Sequence, residues 1–306
     1  MIKRPDNQLN LYGIENKLLE LINLFKKDKL PNKILLSGQK GIGKSTLAYH
    51  LINSILSSEE SYSYDLQKFR INLENKSFKL IQNKTNPNFT LVDTAIDKKG
   101  IDINQIRNLI FNLNKSSFNS KPRFILIDNI ENLNTNSVNA LLKVLEEPNN
   151  NIFFILIHNN KRILPTLKSR CLNFKISLSF KETTNVCEKL FDSNISNLIN
   201  DDLMNYYTTP GKIYDLLNFS KTINVDLKKI KLNDLLNVII DESYYKKEKL
   251  YKSIFIDLIE LFFTKKNELI FSDFSNYFIN KIENTKKFNL DEETLFIEFK
   301  NKVLNG

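Results

Sequence analysis

The chain has 306 residues, 42% of them hydrophobic and 26% charged, a balance that excludes an intrinsically disordered chain and supports packed cores in two or three domains. With 2 Cys and 2 His, it has too few ligands for a disulfide scaffold or a structural zinc site. The net charge of +9 permits contact with nucleic acid, although an AT-rich genome would also produce a chain so rich in Lys, Asn and Ile.

The sequence contains no signal for export or for a membrane span. No apolar run approaches the ~18 residues that a spanning helix needs, and the first residues, Met1–Asp6, lack the apolar core of a signal peptide. We therefore expect a cytoplasmic protein that makes no membrane contact.

Short β-rich runs alternate with helical patterns in the first half of the chain, which predicts a parallel α/β sheet. Several runs are apolar almost throughout, as is typical of strands that are covered on both faces. The predicted strands are Lys33–Ser37, Phe89–Asp93, Arg123–Asp128, Ile152–His158 and Cys171–Ile176. The predicted helices between them are Lys44–Leu56, Ile103–Leu113 and Ser137–Glu147.

Helical periodicity dominates after Ile176 and predicts a small helical domain followed by a second one. The predicted helices are Lys181–Phe191, Ile195–Tyr206, Pro210–Leu217 and Lys247–Phe263. The last of these has one broad apolar face, which indicates either a core helix or an oligomer contact.

Residues Gly38–Ser45, with the sequence GQKGIGKS, match the phosphate-loop pattern G-x-x-x-x-G-K-[ST] at every fixed position. They lie between an apolar strand and a helical pattern, the context in which backbone N–H groups and a helix N-terminus bind phosphate. The predicted nucleotide-binding residues are Gly38, Gly41, Gly43, Lys44, Ser45, Thr46 and Asp128. The alternative is a glycine-rich turn that binds nothing.

Asp128 ends the apolar strand that begins at Arg123. In a P-loop protein an acid at that place holds the Mg²⁺ shell together with the loop hydroxyl, here Ser45, while the loop lysine, here Lys44, reaches the β- and γ-phosphates. The alternative role for Asp128 is a turn cap after the strand.

Four further segments combine with the phosphate loop: Leu11–Gly13, Asn139–Pro148 (NALLKVLEEP), Phe153–Ile157 and Leu164–Cys171, which ends in SRC. Together they resemble the bacterial DNA polymerase III clamp-loader subunits, a family of AAA+ proteins. The motifs cover the chain up to about Ile176, and the remainder matches only in its helical character.

The resemblance implies a P-loop AAA+ domain with a five-stranded parallel sheet at residues 1–176, a helical lid at 177–222 and a helical oligomerisation collar at 223–306. It also implies a five-subunit ring with gamma/tau and delta subunits. Such a ring uses ATP to open the sliding clamp and place it on primed DNA. The cofactors implied are ATP or ADP with Mg²⁺, and no zinc.

Within the family, several features favour the delta-prime subunit over the ATP-hydrolysing gamma/tau subunit. Asn129 replaces the glutamate base that follows Asp128 in the ATPases, and we expect the carboxylate of Glu131 to point elsewhere. Gly211 stands where an ATPase subunit carries a sensor arginine. The zinc-binding cysteines of many members are missing between positions 56 and 89, and the sequence ends at 306 without the long tail of a tau subunit.

These features imply a subunit of the DNA-directed DNA polymerase holoenzyme whose own ATPase is weak or absent. A gamma/tau-type subunit or another AAA+ ATPase is the alternative. A DNA-binding module that uses the excess of Lys is a third hypothesis, and the lack of an aromatic–basic stacking motif makes it the weakest.

Arg170 matches the arginine of the SRC motif, which in the family reaches ATP on the neighbouring subunit as a finger in trans. Without the resemblance, Arg170 would be a salt-bridge residue at a strand edge. Cys171 is expected to be a small buried hydrophobe. The acids Glu146 and Glu147 end a helix, against the helix dipole, so they indicate either a contact with another subunit or a solvated end. His158 or Asn159 could sense the γ-phosphate, or could be hydrogen-bonded loop residues.

Overall fold

The computed structural model describes residues 4–94, 100–113, 119–147, 151–159, 163–205, 208–265, 276–282, 284–285 and 292–305. The chain divides into two compact units, Met1–Val186 and Cys187–Gly306. None of the helices in these ranges is long and apolar enough to cross a membrane.

A parallel five-stranded sheet forms the centre of the first unit. Its strands are β1 (Lys33–Ser37), β2 (Phe89–Val92), β3 (Arg123–Ile127), β4 (Ile152–His158) and β5 (Leu172–Lys175). They are ordered β2-β3-β4-β1-β5, and every neighbouring pair is parallel. The prediction of a five-stranded parallel α/β sheet followed by helices is confirmed.

Helices cover both faces of this sheet, which explains why its central strands are apolar. Helices of the first unit are α1 (Glu15–Lys26), α2 (Lys44–Leu56), α3 (Lys76–Gln82), α4 (Ile103–Leu113), α5 (Thr135–Glu146) and α6 (Pro165–Lys168). In β1, Ile34 and Leu36 share a core with α1 and α2, whereas Leu35 shares one with α4 and α5. Alternate side chains of one strand therefore enter the two cores, as the pleat requires. Pro148, which follows α5 in the NALLKVLEEP motif, lies outside the described residues.

The two edge strands are more exposed than the three in the centre. In β5, only Phe174 is buried, while Leu172, Asn173 and Lys175 are exposed. In β2, only Val92 is buried.

The described residues of the second unit are largely helical. Its helices are α8 (Pro210–Thr222), α9 (Leu232–Asp241), α10 (Tyr244–Lys247), α11 (Lys249–Lys265) and a C-terminal helix, Glu292–Phe299. They share one apolar cluster that extends from Cys187 to Val303. The apolar face that was predicted in Lys247–Phe263 lies in this core, except for Leu250, which is exposed.

The prediction of a helix at Ile195–Tyr206 is wrong over residues 195–205, and Tyr206 lies outside the described residues. The chain forms two short 3₁₀ turns there, Ile195–Asn197 and Asp201–Leu203. Before each turn an asparagine side chain, that of Asn194 or Asn200, accepts a hydrogen bond from the backbone N–H two residues later. Such local bonds compete with a continuous helix, because they satisfy the same backbone donors.

The boundary between the two units falls inside helix α7 (Phe180–Phe191), between Val186 and Cys187. The sequence placed the end of the α/β domain at residue 176 and a further boundary after residue 222. The helices before and after residue 222 contribute to the same apolar cluster. The division into a lid at 177–222 and a collar at 223–306 stays a prediction.

A buried histidine fixes helix α2 to the chain on either side of it. His50 is completely buried, with Nε2 3.0 Å from the carbonyl oxygen of Gln8 and Nδ1 2.8 Å from the hydroxyl of Tyr64. Because a carbonyl can only accept, Nε2 carries the proton and Nδ1 accepts from Tyr64. Burial lowers the pKa of His50 to about 4, so the imidazole is neutral in the folded protein.

We expect the free energy of unfolding to fall as the pH drops below about 6.5, the ordinary histidine pKa. Between that pH and about 4 the unfolded chain binds a proton at His50 and the folded chain does not, which costs about 1.4 kcal/mol per pH unit. Urea unfolding at about pH 7 and pH 5 measures the loss. His50→Gln should remove this part of the loss and His158→Gln should keep it; equal pH dependence in the His50→Gln variant and the parent would contradict the prediction.

Candidate functional site

The phosphate loop joins β1 to α2 and needs its glycines. Gly38, Gly41 and Gly43 have φ angles of +151°, +86° and +94°, in the region that side chains disfavour. A Cβ on Gly38 would lie 2.2 Å from the carbonyl oxygen of Ile176, just after β5. At Gly38 the backbone therefore lies too close to its neighbour for any other residue.

Lys44, the first residue of α2, turns its side chain back over the loop. Its Nζ donates to the carbonyl oxygens of Gly38 and Gln39 at 2.9 and 2.6 Å, and the residue is only 3% exposed. Burial lowers the pKa of Lys44 to about 8, against the opposing influence of the Asp128 and Glu131 carboxylates. The ammonium is thus held inside the loop, where a bound phosphate group would replace the two carbonyls as its hydrogen-bond acceptor.

Ser45 and Asp128 meet beside this lysine. The hydroxyl of Ser45 donates to Oδ2 of Asp128 at 2.6 Å, and burial raises the pKa of the Asp128 carboxyl above its ordinary value. Mg²⁺ in nucleotide sites takes one or two protein oxygens together with phosphates and water, so the serine and aspartate oxygens fit it. Within the described ranges, no group of three or more His, Cys, Asp or Glu side chains could by itself hold a metal ion.

Asn129 links the ends of three neighbouring strands. It has a left-handed backbone, with φ +56°, and its amide nitrogen donates to Asp93, which follows β2, at 2.9 Å. Its amide oxygen accepts from Nδ2 of Asn159, which follows β4, at 3.0 Å. Both ends of the Asn129 amide are engaged, and an amide does not take a proton from water at neutral pH.

The carboxylate of Glu131 lies on the same side of the sheet as the loop. It accepts from Nδ2 of Asn159 at 2.9 Å, and its charge acts to raise the pKa of Lys44. The expectation that this carboxylate points elsewhere is wrong. The short 3₁₀ turn Ile130–Asn132 returns the side chain toward the end of β4. Asn159 is therefore a hydrogen-bonded loop residue in this structure.

Asp93 is a site residue to which the sequence analysis gave no role. It follows β2, next to β3 in the sheet, and bonds Asn129. The signal was present, because an acid at the carboxyl end of a strand beside the Asp128 strand lies at the same sheet edge. Thr46 is half-buried in the first turn of α2, where backbone N–H groups have no intrahelical partner.

Arg170 lies at the amino end of β5, at the opposite end of the strands from the phosphate loop. β5 pairs with β1 so that Leu172 is opposite Ile34 and Lys175 is opposite Ser37. Arg170 precedes β5 and the phosphate loop follows β1, so the strands separate them by roughly 15 Å at ~3.3 Å per residue. The structure brings the loop residues and Asp128 together and leaves Arg170 apart from them.

Two further sequence expectations concern residues outside the loop. Cys171 is half-buried, and burial raises the pKa of its thiol to about 11, so it is not a thiolate nucleophile. In the second unit, Gly211 lies in the first turn of α8. The next residue, Lys212, donates to Asp257 of α11 at 2.9 Å.

The sheet order and the seated loop define this chain as a P-loop protein of the AAA+ class, with additional helices after the α/β unit. The family described as "DNA polymerase III, delta subunit" matches residues 14–179, which is more than half of the chain, and the chain belongs to this family.

Several named relatives agree with that assignment. DNA polymerase III subunit delta' of Buchnera aphidicola subsp. Schizaphis graminum is 27% identical over 280 residues, 87% of this chain and 83% of the relative. Subunit delta' of Pseudomonas aeruginosa is 32% identical over 139 residues, 45% of this chain and 40% of the relative. The assignment to the delta-prime clamp-loader subunits is thereby confirmed.

A gamma subunit is also similar to this chain. DNA polymerase III subunit gamma of the same Buchnera strain is 31% identical over 180 residues, 58% of this chain and 47% of the relative. The chain spans less than half of the length of this gamma subunit and of the Pseudomonas delta' subunit.

Substitution of Gly38 tests the seating of the loop. We expect Gly38→Ala to lower the free energy of unfolding by more than about 2 kcal/mol, because its Cβ meets rigid backbone. Gly43→Ala should cost less, since its Cβ would meet only the flexible end of Ile14 at 3.3 Å. Urea unfolding measures both, and a Gly38→Ala protein as stable as the parent would rule out this loop conformation.

Proposed function

We propose that this chain serves as the delta-prime subunit of a DNA polymerase III clamp loader. It would sit in a five-subunit ring with gamma/tau and delta subunits, which uses ATP to open the sliding clamp and place it on primed DNA in the cytoplasm. In that ring the chain binds a nucleotide with little turnover and lends Arg170 to ATP on a neighbouring gamma/tau subunit.

The observation that carries the proposal is the position of Arg170 relative to its own phosphate loop. Because β5 is parallel to β1 in this register, Arg170 and the phosphate loop lie at opposite ends of the strands. They are further apart than one side chain reaches. A guanidinium there can serve phosphate only when the phosphate belongs to another molecule. Its fixed charge and forked donors suit a transferring phosphoryl group.

The site itself supports nucleotide binding with little hydrolysis. Lys44, Ser45 and Asp128 are placed to hold phosphates and Mg²⁺, but Asn129 occupies the position of the base and is tied to Asp93 and Asn159. Mg²⁺ would supply charge neutralisation of the phosphates when a nucleotide is bound.

A gamma/tau-type ATPase is the second candidate, and one observation favours it. The carboxylate of Glu131, two residues beyond the usual base, lies on the loop side of the sheet and is held by Asn159. Turnover by the isolated chain distinguishes the two candidates.

The distribution of charge bears on the contact with DNA. The excess of Lys and Arg lies in residues 1–186, whereas residues 187–306 carry slightly more acids than bases. The first unit therefore carries the net positive charge that favours contact with the phosphates of primed DNA.

We expect the isolated chain to bind MgADP with an affinity that falls as the pH rises above about 8. The pKa of Lys44 lies near that value, so above it the free protein loses the charge that faces the phosphates, and binding requires proton uptake. Calorimetric titrations across pH 7 to 9, in buffers of different ionisation enthalpy, measure affinity and proton uptake together.

Two variants control this experiment. Lys44→Ala should abolish binding, while Lys40→Ala, which removes a charge from the exposed part of the same loop, should keep the pH dependence. ATP turnover by the parent chain should equal that of Lys44→Ala; clear turnover that depends on Lys44 would instead establish the ATPase alternative.

Arg170→Ala should leave the reconstituted ring intact by size-exclusion chromatography but slow hydrolysis at the neighbouring site. Loss of an arginine finger costs about 10³-fold or more, so single-turnover hydrolysis should acquire a slow phase for that site, while the other sites stay fast. Lys168→Ala, which removes an exposed charge from the same turn, should retain a single fast phase. If Arg170→Ala also retains it, the chain donates no finger.

A further inference from the structure

Two adjacent carboxylates mark the C-terminal end of α5. Glu146 is the last residue of that helix and Glu147 is its cap. A negative charge there opposes the helix dipole, so the helix itself gives no reason for either acid.

The structure supplies a reason for one of the two. Glu146 accepts an ion-paired hydrogen bond from Nη2 of Arg170 through Oε1. On the same guanidinium, Nη1 donates to the backbone carbonyl of Thr166 at 2.9 Å. Glu147 takes part in no ion pair among the residues that the structure describes.

Both anchors of the guanidinium come from backbone segments that are packed into one core. Leu145, next to Glu146, and Leu167, next to Thr166, are each 1% exposed and belong to the same apolar core. The packed backbone on both sides fixes the points from which the Glu146 side chain and the Thr166 carbonyl approach Arg170, and a planar fork that binds both has a defined orientation.

The anchors leave part of the guanidinium accessible. A guanidinium has five N–H donors, and the two anchors engage Nη1 and Nη2, while the arginine side chain remains 34% exposed. The side chain is thus held from its own chain and can still present donors to a second anion.

We propose that Glu146 is a positioning residue for Arg170: together with the Thr166 carbonyl it holds the guanidinium in the orientation in which it meets a polyphosphate on an adjacent subunit. This deepens the proposed function and rests on it. It also accounts for the joint presence of the NALLKVLEEP and SRC segments, since each contributes one partner of the ion pair.

The test uses the reconstituted complex and single-turnover ATP hydrolysis. Glu146→Ala should slow the site that receives Arg170 about tenfold, because a small displacement of a catalytic group costs one to two orders of magnitude. Nucleotide affinity at that site, measured with a fluorescent ATP analogue, should stay within about twofold, since orientation affects the reaction and not ground-state binding. Glu147→Ala is the matched control and should behave as the parent.

Two further variants separate positioning from general damage to the fold. Glu146→Gln keeps an oxygen acceptor for Nη2 and should recover most of the rate. In an Arg170→Ala background, Glu146→Ala should have no additional effect, because the group that it orients is missing.

The outcomes are distinct. If Arg170→Ala leaves hydrolysis unchanged, both the proposed function and this inference fail. If Arg170→Ala slows it but Glu146→Ala matches Glu147→Ala, only the positioning role fails. A faster rate in Glu146→Ala would show that the carboxylate restrains the arginine, and a tenfold loss that persists without Arg170 would show a structural effect; either result overturns the inference.

Discussion

The parallel pairing of β5 with β1 is the constraint that determines where Arg170 lies relative to the phosphate loop. Backbone hydrogen bonds fix its register, and both strands run in one direction. A residue before β5 and a residue after β1 must therefore lie at opposite ends of the strands. Lys44 bonds the carbonyls of its own phosphate loop, whereas Arg170 lies at the opposite end of the strands. One phosphate group in the loop cannot contact both side chains.

The carboxyl ends of the strands bring together the phosphate-loop residues and several acids and amides. Asp128 keeps its place beside Ser45, but the residue after it is an amide that bonds Asp93 on one side and Asn159 on the other. The buried lysine has a lowered pKa because burial outweighs the nearby carboxylates. This arrangement is consistent with the proposed binding of a nucleotide with little turnover.

The sequence was sufficient to predict the strands of the sheet and the phosphate loop. The β-rich runs predicted all five strands to within one residue at each end. The runs of β1, β3 and β4 are the most apolar, because strands that are buried on both faces are apolar throughout. The spacing of Gly38, Gly43 and Lys44 predicted the phosphate loop, because each glycine is needed for a local backbone conformation.

Contacts between distant segments could not be read in this way. Examples are the Arg170–Glu146 ion pair and the bonds of His50 with Tyr64 and Gln8. The wrong helix at Ile195–Tyr206 has a different origin, since asparagine side chains before each turn bonded the backbone where the apolar spacing alone looked helical. The direction of the Glu131 side chain was not predicted, because it depends on a short 3₁₀ turn that leaves no periodic pattern in the sequence.

The exposed edge strand β5 has a consequence for the subunit before it joins any assembly. An edge strand offers a row of backbone groups to which another chain can add, which is a route to aggregation. β5 is only four residues long and ends in the exposed Lys175, and charge and shortness both discourage such addition. These two features of β5 therefore limit polymerisation of the free polypeptide through this edge of its sheet.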